Sequence, residues 1–192
     1  VPSWADPILP RMVSDLGPFF DWYLKETGPR QVIEETLGAA IDRLTAQPLS
    51  LSLRDFHAEN LIWRPDRDGL ARVGLLDFQD ACAAPAVYDL VSLLDDARRD
   101  VGADARRAAI LRFQAGTNMS TDALETSMAT LSLARNLRIL GVLSRLSHRD
   151  GKPGYLAYVP RVRRYVDACL RHPSLADVRS AIAPALDQLE LQ

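Results

Sequence analysis

The sequence predicts a mainly α fold that carries one small β-hairpin region. Three observations lead there. Apolar residues recur at helical spacing along most of the 192 residues, as in Ile33, Leu37, Ile41 and Leu44. Three short apolar runs cluster in the middle of the chain, at 51–53, 61–63 and 73–76, each too short for a helix and bounded by turn residues. Hydrophobic residues make up 47% and charged residues 25%, an ordinary globular balance. A chain of this length buries roughly 70% of the surface its unfolded form exposes, so a full core is available.

Taken in order, the segment 8–25 reads as helical with a break near Gly17 and Pro18. Gly28 and Pro29 separate it from a helix that runs through Ile33 to Leu44. The run 51–53 is a strand, and 61–63 and 73–76 form a hairpin around a turn from Pro65 to Gly69. Pro85 is suited to start a helix, which would bury Val87, Leu90, Val91 and Leu94. A second helix covers 103–115. A third starts from Thr121 and Asp122 as an N-cap pair and reaches Ser147. Leu124, Met128, Leu131, Leu137, Leu140 and Leu143 make it apolar around most of its circumference, which predicts a central, buried helix. Residues 150–154 are a loop, and helices over 155–171 and 174–189 finish the chain. Trp22 and Trp63 are expected in the core.

Charge and composition exclude several classes. A net charge of -2 gives no general field for nucleic acid. No run of about 18 apolar residues is present, so no membrane span is expected. The first ten residues carry Asp6 and no basic residue before an apolar stretch, unlike a secretory signal. Cys82 and Cys169 stand far apart without a C-x-x-C pair, which reads as two buried thiols in a reducing cytoplasm. His57, His148 and His172 lack zinc-ligand spacing.

The chemistry-bearing residues concentrate between Arg54 and Asp89. Asp55 and Asn60 make a D-x-x-x-x-N pattern, and Asp77 ends an apolar run with Asp80 three residues on. Asp and Asn favour turns through local hydrogen bonds, so either alone is an ordinary loop residue. The combination with a hairpin and a following helix is more specific. Asp55 can accept a proton from an attacking hydroxyl, while Asn60 and Asp77 offer hard oxygen ligands to Mg²⁺. That division of labour is the one phosphoryl transfer uses. Further along, Arg135 and Arg138 lie at i, i+3 on an otherwise apolar helix, where guanidinium groups need a partner. They are candidate substrate contacts, as is Tyr155 after the Gly154 loop.

The segments 55–60 and 75–80, with Tyr88-Asp89-Leu90, resemble the aminoglycoside phosphotransferase and choline kinase family over about 19–166. The stretches 77–81, 85–94, 149–157 and 160–162 resemble more closely the bacterial kinases that phosphorylate N-acetylmuramate and N-acetylglucosamine at the anomeric hydroxyl. The resemblance implies the C-terminal lobe of a protein-kinase-like fold over 1–192. Within it fall a catalytic loop at 51–63, a metal loop at 73–81 and a helical substrate-binding part at 85–192. It implies Asp55 as the catalytic base, Asn60 and Asp77 as Mg²⁺ ligands, and ATP as co-substrate. Asp89 becomes a support of the loop. From its place in the loop, His57 reads as a residue whose hydrogen bond shapes it, and Asp80 as a contact to substrate or metal or a cap of the following segment.

Two departures stand out. The family usually carries His two residues before the catalytic Asp; here Leu53 stands there. No Gly-rich phosphate loop precedes Asp55, and the one upstream lysine, Lys25, falls in a helical stretch rather than a strand. The chain also starts at Val1 rather than Met. The expectation is that a nucleotide-gripping N-terminal lobe lies upstream, and that this lobe and a small amino sugar are the partners. The alternatives are an aminoglycoside or choline-type phosphotransferase, a non-catalytic binding protein on a kinase scaffold, and a metal-dependent hydrolase using Asp55, His57, Asp77 and Asp80.

Overall fold

The computed structural model describes residues 7–25 and 29–190. Residues 1–6 and the Gly28 break lie outside the described residues. The strands are β1 (Leu49–Ser52), β2 (Leu61–Trp63), β3 (Val73–Leu75) and β4 (Cys82–Pro85). The helices are α1 (Arg30–Asp42), α2 (Val87–Leu94), α3 (Ala103–Ala115), α4 (Thr121–His148), α5 (Val159–Leu170) and α6 (Ala176–Glu190).

The expected central helix is α4. Its 28 residues span about 42 Å at 1.5 Å per residue. Leu131, Leu133, Leu137 and Leu140 are fully buried along it. It packs against α2, α5, the segment Phe19–Leu24 and a 3-10 turn at Pro153–Tyr158. Its cap is Ser120, one residue before the expected pair, whose Oγ accepts the Ala123 N–H at 3.2 Å. Despite its burial, no helix among the described residues is long and apolar enough to cross a membrane.

The N-terminal stretch departs from the expected helix. It is built from 3-10 turns at Leu9–Arg11 and Ser14–Leu16 and a π-helical turn at Phe19–Leu24. Pro10 and Pro18 remove backbone donors within it, which breaks a continuous α ladder. Burial still holds: Leu16, Phe19 and Leu24 are buried, and Phe19 stacks on Tyr23 with centroids 5.7 Å apart. The backbone at Pro18 and Phe19 lies so close to α4 that a Cβ on Gly141 would overlap it.

The β region differs from expectation in its strands, its connection and its exposure. β1 begins at Leu49 and pairs antiparallel with β4, Ser50 opposite Ala84. The sequence reading missed β4 because Cys-Ala-Ala-Pro lacks β-branched residues; what fits it to its place is the small size of the buried Cys82 and Ala84. Pro85 therefore closes a strand, and α2 starts at Val87. The hairpin β2–β3 forms as expected, with Ile62 opposite Gly74. Its connection is longer, because Gly69–Arg72 adds a 3-10 turn before β3. Trp63 is 64% exposed rather than in the core, since the hairpin stands off the helical body. The Arg72 guanidinium lies over its ring at 5.6 Å. Trp22 is half-buried.

A buried polar cluster ties the helices together. Asp95, just past α2, accepts from Arg106 Nη1 on α3 at 2.8 Å and from Asn136 Nδ2 on α4 at 3.3 Å, and bonds Ser132 Oγ. Cys169 Sγ on α5 reaches Ser132 Oγ at 3.0 Å, and burial pushes its thiol up to about 11. Both cysteines are free and buried.

Two glycine substitutions separate close approach from propensity. Gly141→Ala is expected to lower unfolding free energy in urea by about 3 kcal/mol, because backbone must move to admit the methyl. Gly38→Ala on α1 meets only Val13 Cγ2 at 3.7 Å and should raise it by about 0.5–1 kcal/mol through helix propensity. A neutral Gly141→Ala would contradict the packing.

Candidate active site

One carboxylate shapes the loop that follows β1. Asp89 sits in the first turn of α2. It accepts from Ser52 Oγ at 2.6 Å, from the Leu53 N–H at 2.8 Å and from the Arg54 N–H at 3.1 Å. Ser92 Oγ, one turn on, donates to the Arg54 carbonyl at 3.0 Å. These bonds hold Arg54 at φ 66°, a conformation that costs a non-glycine residue about 1 kcal/mol or more. Leu53 takes part in this through its backbone N–H alone.

Asp55 comes next, half-buried at the mouth of the loop. Asn60 Nδ2 donates to the Asp55 carbonyl at 2.9 Å and stands 3.4 Å from both Asp77 Oδ2 and His57 Nε2. The Leu76 N–H donates to the Asn60 carbonyl at 2.9 Å, which joins the end of β3 to the loop. Asp77 follows in a left-handed conformation at φ 56°, with Gln79 Nε2 on its Oδ1 at 2.7 Å. Asp55, Asn60 and Asp77 are thus brought together. An amide and an exposed carboxylate in contact are the hard oxygen donors Mg²⁺ takes, with the remaining positions left to water and phosphate. The residues fit that ion. Among the described residues no group of three or more His, Cys, Asp or Glu is arranged as a metal cage, which the hydrolase alternative requires.

Beside Asp55 opens a cleft of about 240 Å³ between the loop, the residues after α2, α4 and the Pro153–Tyr158 turn. Asp55, His57, Arg135, Arg138 and Tyr155 all line it. Asn60 and Asp77 do not, and Asp80 is exposed outside it. Sequence reasoning missed Asp96, Arg98 and Tyr88, which also line the cleft. Asp96 is 1% exposed. A signal existed: two consecutive aspartates, Asp95 and Asp96, directly follow an apolar helix, where the negative end of the helix dipole disfavours them. Arg98 pairs with Glu59 at 2.9 Å at the rim.

Burial, and then the Arg98 guanidinium, hold the His57 pKa below its usual 6.5. The native ring therefore binds its proton less readily than the unfolded one, and stability falls as pH drops from about 6.5 toward the native midpoint. An NMR titration should give a His57 midpoint below 6.5, and Arg98→Gln should move it upward. A midpoint above 6.5 would contradict the buried, cationic setting. For the loop, Asp89→Ala is expected to cost about 2–3 kcal/mol in urea unfolding, since it leaves the Leu53 N–H and the Ser52 hydroxyl without an acceptor and the Arg54 N–H with only Ser52 Oγ at 3.2 Å. The Leu53 and Arg54 amides should then lose hydrogen-exchange protection; unchanged protection would mean that the loop holds itself.

Comparison with known proteins gives the family. Residues 9–126 match the model of the phosphotransferase enzyme family. An N-acetylmuramate/N-acetylglucosamine kinase of Caulobacter vibrioides is 45% identical over 128 residues, covering 66% of this chain and 35% of that protein. Kinases of the same name from Pseudomonas putida and Neisseria meningitidis serogroup B are each 30% identical, over 95% and 94% of this chain and 56% and 57% of their own lengths. The chain thus spans from about a third to just over half the length of these relatives. With a family match over more than half of its residues, the chain belongs to the phosphotransferase enzyme family.

Proposed function

We propose that this chain is the catalytic, C-terminal lobe of an ATP-dependent kinase that phosphorylates the anomeric hydroxyl of N-acetylmuramate and N-acetylglucosamine. The observation that carries the reading is the convergence of Asp55, Asn60 and Asp77 beside a cleft of substrate size. The names of the relatives support the sugar as acceptor.

In this mechanism the sugar occupies the cleft with its hydroxyl against Asp55. The hydroxyl oxygen attacks the γ-phosphorus in line, and the bond to the β–γ bridging oxygen breaks. The hydroxyl proton passes to the Asp55 carboxylate, and ADP leaves with the freed oxygen. Asn60 and Asp77 would hold Mg²⁺, which when bound would offset the charge on the phosphates. An anomeric hydroxyl is more acidic than an ordinary alcohol, so an aspartate is an adequate base. Asn60 also fixes the Asp55 backbone, so the proton acceptor and the metal ligands move as one unit.

Arg54, Arg98, Arg135 and Arg138 line the cleft against two carboxylates, Asp55 and Asp96. This balance disfavours the cationic acceptors of aminoglycoside and choline kinases and favours a neutral or acidic sugar. The nucleotide-gripping half is assigned to chain outside these residues. Leu51, Ile62, Leu75 and Phe78 leave an apolar surface exposed on the β region, next to Asp77, which such a lobe would cover. The cytoplasm, which supplies ATP and keeps thiols reduced, suits this reaction.

The test uses the full-length protein with Mg²⁺-ATP, against N-acetylmuramate, N-acetylglucosamine, an aminoglycoside and choline. ADP release is expected on the two amino sugars, with an acid-labile phosphate product. Asp55→Asn should lower kcat by about 10³-fold with the unfolding midpoint unchanged. Asp77→Asn should raise the Mg²⁺ concentration needed for half-maximal rate. Full turnover in Asp55→Asn, or turnover confined to the cationic acceptors, would overturn the assignment.

A further inference from the structure

Six buried side-chain polar atoms among the described residues lack a hydrogen-bond partner, and three of them belong to residues lining the one cleft beside Asp55. They are His57 Nδ1, Asp96 Oδ2 and Arg135 Nη1. Buried polar groups are almost always paired, so three unpartnered atoms on residues lining one cleft are atoms that a bound polar group, water or ligand, would satisfy. Their chemistry is mixed. Asp96 is a carboxylate only 1% exposed. Its Oδ1 accepts the Arg98 N–H at 2.8 Å, while Oδ2 has only the Arg99 guanidinium at 3.8 Å, which leaves an acceptor open. Arg135 and Arg138 have no carboxylate within ion-pair distance among the described residues, which leaves donors and positive charge open. His57 takes the Asn60 amide on Nε2, so the neutral ring carries its proton on Nδ1, a further donor.

We propose that Asp96 and Arg135 read the acceptor sugar from opposite chemical sides. Asp96 accepts a hydrogen bond from a ring hydroxyl or the acetamido N–H, and Arg135 donates to a carboxylate carried by the sugar. Arg135 thereby sets a preference for the acidic N-acetylmuramate over N-acetylglucosamine, which lacks the lactyl carboxylate. The proposal rests on the sugar-kinase reading above. An anion at Arg135 has two sources, the sugar's carboxylate and the phosphates of the nucleotide. Arg135 lines the cleft that Asn60 and Asp77 do not, which favours the carboxylate.

The test is binding rather than turnover, so it stands apart from the test of the reaction. Calorimetry on the full-length protein, with ADP and Mg²⁺ present, compares N-acetylmuramate, its lactyl methyl ester and N-acetylglucosamine. The wild type is expected to bind the acid about tenfold more tightly than the ester, as for a charge-assisted pair in a partly buried site. Arg135→Gln should bring the acid and ester within about twofold of each other, and Arg135→Lys should recover part of the gap. Asp96→Asn should weaken all three sugars by about tenfold. Equal affinity of the wild type for acid and ester overturns the proposal without any variant, so a variant that fails to fold does not protect it. Arg135→Gln that weakens the acid and ester by one common factor, or that changes only the affinity for ADP, assigns Arg135 to the fold or to phosphate and overturns its role. Asp96→Asn with unchanged affinities means that trapped water alone satisfies Asp96 and overturns its part. Sugar binding in this pattern without phosphoryl transfer would sink the kinase reading and leave the recognition pair standing.

Discussion

The site depends on the Asp89 carboxylate. A strand end, a left-handed residue and a helix start meet there, and three donors converge on its two oxygens. Without that acceptor the half-buried Leu53 amide would be unpaired, and Arg54 would be held at its positive φ only by Ser52 Oγ and Ser92 Oγ. That φ turns the chain sharply after β1, so Asp55 faces the cleft instead of continuing the strand. Because Asp89 belongs to α2, the loop after β1 takes its position from the helical core and not from the small sheet. This explains how a four-residue strand with three exposed positions can precede a precisely held loop.

The far wall of the cleft comes from a different constraint. α4 is pinned by backbone contact at Gly141 and by the Asp95 cluster, one from each side. Arg135 and Arg138 lie between these two anchors in sequence, so their positions are set by packing that does not involve any ligand. Neighbours Ala134, Asn136 and Leu137 are buried. A guanidinium in such a setting would be costly if it were not meant to be paired, because the helix cannot rotate to expose it.

Much of this was legible in the sequence, for physical reasons that can be named. Helices α1, α2 and α5 carry strong 3.6-residue periodicity, α4 is apolar around most of its circumference, and a hairpin with a Pro-Asp turn announces itself. Asp55, Asn60 and Asp77 were readable because a carboxylate and an amide at fixed spacing, followed by a strand that ends in a carboxylate, form a joint pattern. β4 was not readable: its residues are chosen for size, and small residues carry no strand signal. The N-terminal stretch looked helical because its apolar spacing is helical, while its prolines permit only short turns. Trp63 was misplaced because aromatic side chains are usually buried, and sequence does not reveal that a hairpin stands clear of the core. Asp96 was passed over because a buried carboxylate is recognised by what surrounds it, and those surroundings come from α4 and the segment after it, some 40 residues on.

The resulting charge layout gives the site two halves with Asp55 at their boundary. On one side stand the half-buried Asn60 and the exposed Asp77, oxygen-rich and suited to a cation that carries phosphates. On the other side stand Arg135, Arg138 and a single buried carboxylate, enclosed and suited to a polar acceptor. Under the proposed mechanism, a proton acceptor at that boundary would meet the acceptor hydroxyl on one side, while its backbone carbonyl is bonded by Asn60 on the other. Phosphoryl transfer requires that junction, since the nucleophile and the phosphate must arrive from opposite directions. The fold meets the requirement with one short loop, because a single residue of α2 holds the loop's backbone and α4 supplies the opposing wall.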